Sequence, residues 1–112
     1  MLPSYPLSDE AIQQLHSDII AALKGIYDPE IPVNIYDLGL IYEIRVNFSG
    51  QVNIDMTLTT PHCPVAQTFP SQVETTVSLV PGVTEAQVTL VWDPPWTMEK
   101  MSEAAKLQLN ML

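Results

Sequence analysis

The sequence predicts a two-layer α/β (α+β) fold of the order α-β-β-α-β-α, a small three-stranded sheet with its helices packed on one face. Two observations carry this. Apolar residues switch from helical spacing to strict alternation and back along the 112 residues. Each alternating run has only one apolar face, so its sheet is covered on one side, and the amphipathic helices are the cover. A chain of this length forms one domain with a real core.

Residues 1–7 form a short proline-containing lead. Ser8 is a good N-cap, and Asp9 and Glu10 suit the positive end of a first turn. Ile12, Leu15, Ile19, Leu23 and Ile26 then recur at helical spacing, which predicts a helix from about residue 9 to about residue 25. Pro29 and Pro32 bar both helix and central strand from the next stretch. It reads as an ordered loop carrying Asp28 and Glu30, continuing through an apolar segment to Gly39 that packs on the domain.

From Leu40 the period is two. Leu40, Tyr42, Ile44, Val46 and Phe48 share one face of a first strand; after Ser49-Gly50, Val52, Ile54, Met56 and Leu58 share one face of a second. Two such runs around a short glycine turn predict a hairpin. A helix is expected after Cys63, with Val65, Phe69, Val73, Val77 and Val80 as its stripe. Pro70 should kink it or shorten its first part, and Pro81-Gly82 stops it. Ala86, Val88, Leu90 and Trp92 line the inner face of a third strand, which makes Trp92 a core residue. Thr97 or Ser102 caps a last short helix, with Trp96 stapling against Met101 and Leu107, Leu109 and Leu112 as its apolar residues. The second strand, second helix and third strand form a crossover if those strands are parallel; the pattern leaves the strand order open.

There are 13 acidic residues against 4 basic ones, a net charge of −9. That argues against nucleic acid, whose phosphates need lysine and arginine, and against anionic membranes. One cysteine builds no disulfide framework. The first residues lack the features of a signal peptide, and no apolar run approaches the roughly 20 residues of a membrane span. The expectation is a cytoplasmic protein with a reduced thiol.

That thiol, Cys63, stands in Thr59-Thr60-Pro61-His62-Cys63-Pro64, where the strand pattern gives way to the helical one. Pro64 suits the first position of a helix, which makes Cys63 its N-cap. A side chain there meets unpaired N–H groups and the positive end of the helix dipole, both of which favour thiolate. The competing reading is a small buried apolar cysteine. Thr59 and Thr60 end the strand beside the sulfur, either as ligand-binding hydroxyls or as ordinary strand residues. Asp28, Glu30 and Asp37 are either oxygen ligands and thiol-orienting groups or loop carboxylates that cap turns. His62 adjoins Cys63 and so points elsewhere, which weakens a Cys–His pair; His16 sits on a helix surface without a role. There is no phosphate-binding glycine loop and no cysteine pair at zinc spacing.

Asp28-Pro29-Glu30-Ile31-Pro32, Asp37-Leu38-Gly39-Leu40-Ile41-Tyr42, Met56 through Pro64, and Trp92-Asp93-Pro94-Pro95-Trp96 follow one another in that order. Together they resemble the SufT and PaaD-type iron–sulfur cluster assembly domain, over about residues 9–112. The resemblance implies a small α/β fold and a non-enzymatic part in maturing iron–sulfur proteins. It points to Cys63 as the functional thiolate and possible cluster ligand, with Thr59, Thr60, Asp28 and Glu30 lining the same site. Pro70 departs from the family helix. A C-terminal extension with further cysteines, as in the PaaD branch, and a fused ATPase are both missing from the pattern, so the stand-alone SufT-like branch fits best.

The resemblance also implies partners: iron–sulfur scaffold or carrier proteins and client apoproteins, and a homodimer among the ways to complete a cluster. One thiolate falls short of the four cysteine ligands typical of a cluster, so any bound cluster is transient or shared. The alternatives are a PaaD-like assembly protein for a ring-hydroxylating oxygenase complex and a small enzyme with Cys63 as nucleophile.

Overall fold

The computed structural model describes residues 7–27, 33–58 and 69–109. Its elements are α1 (Asp9–Leu23), β1 (Ile41–Val46), β2 (Gln51–Met56), α2 (Phe69–Ser78), β3 (Glu85–Leu90), a 3-10 turn (Met98–Lys100) and α3 (Glu103–Gln108). The sheet order is β1-β2-β3. β1 and β2 are antiparallel, as a hairpin requires, and β2 and β3 are parallel, so the connection through α2 is a crossover.

α1 begins where its cap predicts: the Ser8 hydroxyl accepts from Ala11 N–H at 3.1 Å. Leu15, Ile19 and Leu23 form its buried stripe. Val73, Val77 and Val80 bury the inner face of α2, and α1 and α2 pack on each other and on the sheet. Pro70 is the second residue of the described helix; its effect on the preceding turn lies outside the described residues, as does the predicted helix start at Cys63. Gly82, at φ +100°, turns the chain after α2.

β2 supplies the centre of the core: Val52, Ile54, Met56 and Leu58 are all buried. The segment between α1 and β1 packs as expected, burying Val33, Ile35, Leu38 and Leu40. It is organised by Asn34, whose Oδ1 accepts from Asp37 N–H at 2.9 Å while its Nδ2 donates to Asp37 Oδ2 at 2.8 Å. The turn closes at Gly39, where φ is +86° and the Lys100 backbone leaves no room for a Cβ.

Four expectations change. The alternation of β1 is broken by a bulge: Ile44 opposes Ile54, but Ile41, not Tyr42, opposes Met56. The extra residue shifts everything before it by one position, so Leu40 comes opposite Thr57 instead of continuing the face of Ile44 and Val46. Phe48 lies beyond the strand in the hairpin turn and is exposed; that turn is set by Asn47 Oδ1, which accepts from Ser49 and Gln51 N–H. Trp92 is not core: β3 ends at Leu90 and the indole is 43% exposed.

The fourth change concerns the C-terminal segment. Thr97 opens only the 3-10 turn, without a side-chain bond, and Ser102 caps α3 by accepting from Ala105 N–H at 3.1 Å. Ala105 is the buried residue of α3, whereas Leu107 is exposed; Leu112 lies outside the described residues. Trp96 packs against the core cluster that contains Met101. Its Nε1–H donates to Leu38 O at 2.8 Å, and Ser102 N–H donates to Asp37 O at 2.8 Å, which ties the segment to the 33–40 turn.

Gly39→Ala should lower the unfolding free energy by roughly 2 kcal/mol or more, since it combines a left-handed backbone with a collision against backbone atoms of Lys100. Urea unfolding of the two proteins measures this. Ser49→Ala in the hairpin turn, whose backbone N–H carries the turn bond, serves as a neutral comparison.

Candidate functional site at one end of the sheet

Leu58, two residues past the end of β2, is the described residue nearest the thiol in sequence. Both neighbours hold the end of β2. Thr57 N–H donates to Leu40 O at 2.8 Å, and Val91 N–H donates to Met56 O at 2.8 Å. The second motif, the fourth and the first residues of the third, Met56–Leu58, therefore meet at one end of the sheet, although Asp37 and Trp96 are 59 positions apart.

The contacts between the second and fourth motifs are specific. The bulge at Ile41/Tyr42 re-aims Tyr42. Its hydroxyl donates to Pro94 O at 2.7 Å, and the Lys100 ammonium sits over its ring, 5.0 Å from the centroid. Leu38 and Trp96, Asp37 and Ser102, and Gly39 and Lys100 complete the junction. Around it lies an open cavity of about 600 Å³, lined by Tyr36, Asp37, Ile41, Tyr42, Lys100 and Ser102 among others. It offers aromatic faces, a carboxylate and an ammonium.

Two polar groups stand out. Burial raises the pKa of the Tyr42 phenol above the ordinary tyrosine value, and the neighbouring Thr57 hydroxyl offsets part of that rise. The two hydroxyls are close without forming a hydrogen bond of acceptable geometry. Thr57 Oγ1 is fully buried and has no hydrogen-bond partner among the described residues. A buried hydroxyl without a partner is costly.

Of the residues singled out in the sequence, Cys63, Thr59, Thr60, His62, Asp28 and Glu30 lie outside the described residues. The base of the loop carrying Asp28 and Glu30 is placed: Tyr27 and Asn34 form an antiparallel bridge, and Ile35 N–H donates to Ile26 O at 2.8 Å. Asp37 is half-buried, and its carboxylate accepts from Asn34 Nδ2; the residue that caps the turn is Asn34, whose Oδ1 accepts from Asp37 N–H. His16 is half-buried on α1 beside Tyr36 and Ile41. Sequence reasoning missed Thr57 and Lys100, and quoted Tyr42 only as part of a motif. Thr57 sits on what alternation makes the solvent face, and nothing local shows that the distant 92–102 segment helps to close that end of the sheet. Among the described residues no group of three or more His, Cys, Asp or Glu is placed to hold a metal, and no helix is long and apolar enough to cross a membrane.

The model of a family described as iron–sulfur cluster assembly protein matches residues 16–89, from α1 through nearly all of β3. The chain belongs to that family. Similar proteins include an Fe-S protein maturation auxiliary factor of Porphyromonas gingivalis, 46% identical over 88% of this chain and 94% of that protein. The Fe-S protein maturation auxiliary factor SufT of Staphylococcus aureus is 38% identical over 77% of this chain and 98% of its own. Among solved structures, a domain of unknown function from Bacillus anthracis superposes with a TM-score of 0.85 at 35% identity, covering 94% of this chain and all of that one. The junction of the second and fourth motifs is thus a feature of an iron–sulfur cluster assembly domain, and its fold is that of solved members.

Tyr42→Phe should cost about 1 kcal/mol at neutral pH through loss of the bond to Pro94 O. It should also change the alkaline limb. A phenol whose folded pKa is raised contributes stability that is present in full below the unfolded value of about 10 and is lost as pH climbs through the higher folded value. Denaturation midpoints from pH 8 to pH 11 should therefore fall less steeply for Tyr42→Phe than for the parent.

Proposed function

We propose that this chain is a non-enzymatic maturation factor for iron–sulfur proteins, assisting delivery of clusters to apoproteins with Cys63 as its functional thiolate. The observation that carries the reading is similarity over most of the chain: relatives covered to 94% and 97% of their length, at 46% and 38% identity, are themselves named Fe-S protein maturation auxiliary factors. It is supported by the meeting of the second motif, the fourth and Met56–Leu58 of the third at one end of the sheet, from which the sequence runs on to Cys63.

In this reading the cluster is cargo. One cysteine leaves most of its coordination to others, so Cys63 acts together with ligands from a carrier, a client, a small thiol or a second copy. Thr59 and Thr60 flank the sulfur with hydroxyls, and Asp28 and Glu30 line the same site. The junction holds the end of β2, and in this reading the chemistry belongs to the Thr59–Pro64 stretch. The partners are scaffold or carrier proteins and client apoproteins, in the cytoplasm, without nucleic acid.

The test is a deletion strain complemented with Cys63→Ala. The fold should survive, since cysteine is a weak cap and even a strong one contributes on the order of 1 kcal/mol. Aconitase-type activity should drop several-fold at unchanged aconitase protein level, most strongly under high oxygen or low iron. Asp28→Asn and Glu30→Gln should give weaker forms of the same defect. Full cluster maturation with Cys63→Ala would overturn the reading, and loss of one reaction with unrelated iron–sulfur enzymes intact would replace it with a thiol enzyme.

A further inference from the structure

The two edges of the sheet are protected in different ways. β1 is interrupted by its bulge and carries Glu43 and Arg45, both of which discourage pairing with another strand. β3 has no bulge, and its one charged residue, Glu85, stands at its first position. Residues 86–92, Ala-Gln-Val-Thr-Leu-Val-Trp, contain no charge, no proline and no glycine in a chain of net charge −9. An uncharged stretch of strand-forming residues on a sheet edge is a ready template for strand addition.

The register shows which groups that edge presents. Val91 N–H donates inward to Met56 O, so Val91 and every second residue before it bond to β2. Ala86, Val88 and Leu90 therefore turn their N–H and C=O groups outward. The central one is occupied: Val88 N–H donates to a carboxylate oxygen of Glu74, from α2, at 2.9 Å. Glu74 reaches over the edge at its midpoint, and no strand can pair there while it stays.

We propose that the outer edge of β3 is a pairing surface for a second copy of this chain, and that Glu74 holds it closed. The occupant follows from self-complementarity. With two copies antiparallel about Val88, Gln87 opposes Thr89, Ala86 opposes Leu90, and Glu85 opposes Val91. No carboxylate meets a carboxylate, which is uncommon on a surface this acidic, and the apolar residues meet on one face. Exposed Trp92 ends the stretch and adds apolar area beside it. The pairing continues the sheet from three strands to six.

The test is sedimentation velocity over a concentration series, with circular dichroism to confirm folding. Glu74→Ala should associate to a dimer at least about ten-fold more tightly than the parent, and amides of residues 86–90 should gain hydrogen-exchange protection. Glu74→Ser, also too short to reach Val88, should do the same and stands in if the alanine variant does not fold. Glu74→Gln keeps an oxygen for Val88 N–H and should behave as the parent. Adding Thr89→Lys to Glu74→Ala should restore the parent's weak association. A folded Glu74→Ala or Glu74→Ser no more dimeric than the parent would overturn the proposal. So would a Glu74→Gln as dimeric as Glu74→Ala, or a dimer that survives Thr89→Lys.

Discussion

The rest of the structure depends on the buried column of β2. Val52, Ile54, Met56 and Leu58 are all buried, and the strand is hydrogen-bonded on both sides. Its parallel pairing with β3 obliges the chain to cross over through α2, and its antiparallel pairing with β1 fixes the hairpin. Because β2 is central, its last residues are the most constrained backbone from which the Thr59–Pro64 stretch departs. A site that leaves a central strand of a parallel pair at its carboxyl end is a recurrent arrangement, since there the chain must exit toward a helix and side chains converge from neighbouring strands.

That end of the sheet is finished by segments distant in sequence. Leu40 faces Thr57 only because of the bulge, and Tyr42 reaches Pro94 for the same reason. The Asn34–Asp37 turn then receives Trp96 and Ser102 through backbone oxygens. None of these contacts involves an ion pair. They are neutral hydrogen bonds plus a lysine over a ring, so the junction is insensitive to salt in a way that the Arg45 contacts with Glu43 and Asp55 on the exposed face are not.

Local chemistry was legible and its long-range consequences were not. The Ser8 cap, the Leu15–Leu23 stripe, the alternation of β2 and the packed 33–40 segment all follow from spacing of two to four residues, and spacing is what a sequence displays. The bulge left no trace because Ile41 and Tyr42 are both apolar enough to sit on either face, so one inserted residue breaks no pattern. Trp92 was misplaced because its parity agrees with Val88 and Leu90 while the strand stops short of it. Thr57 was unreadable for the opposite reason: a polar residue on a polar face becomes a buried one only once Leu40 and Tyr42 arrive from β1. Cys63, Thr59 and Thr60 were legible as a motif, and what the structure adds is the fixed end of β2 that precedes them.

The charge distribution bears on how such a domain meets its partners. Of the four basic residues, Arg45 is bonded to two carboxylates, and Lys24 and Lys100 lie over Tyr36 and Tyr42. Arg45 holds the Asp55 carboxyl below its ordinary range, chiefly by direct hydrogen bonding, and is itself raised by the same contact. Three of the four cations are thus turned to internal use, and the long-range field is that of the carboxylates. A field of one sign accelerates encounter with basic patches and discourages both phosphate backbones and like-charged copies. Self-association in such a chain is least opposed where charge is absent, and among the described strands the longest uncharged stretch is the outer edge of β3.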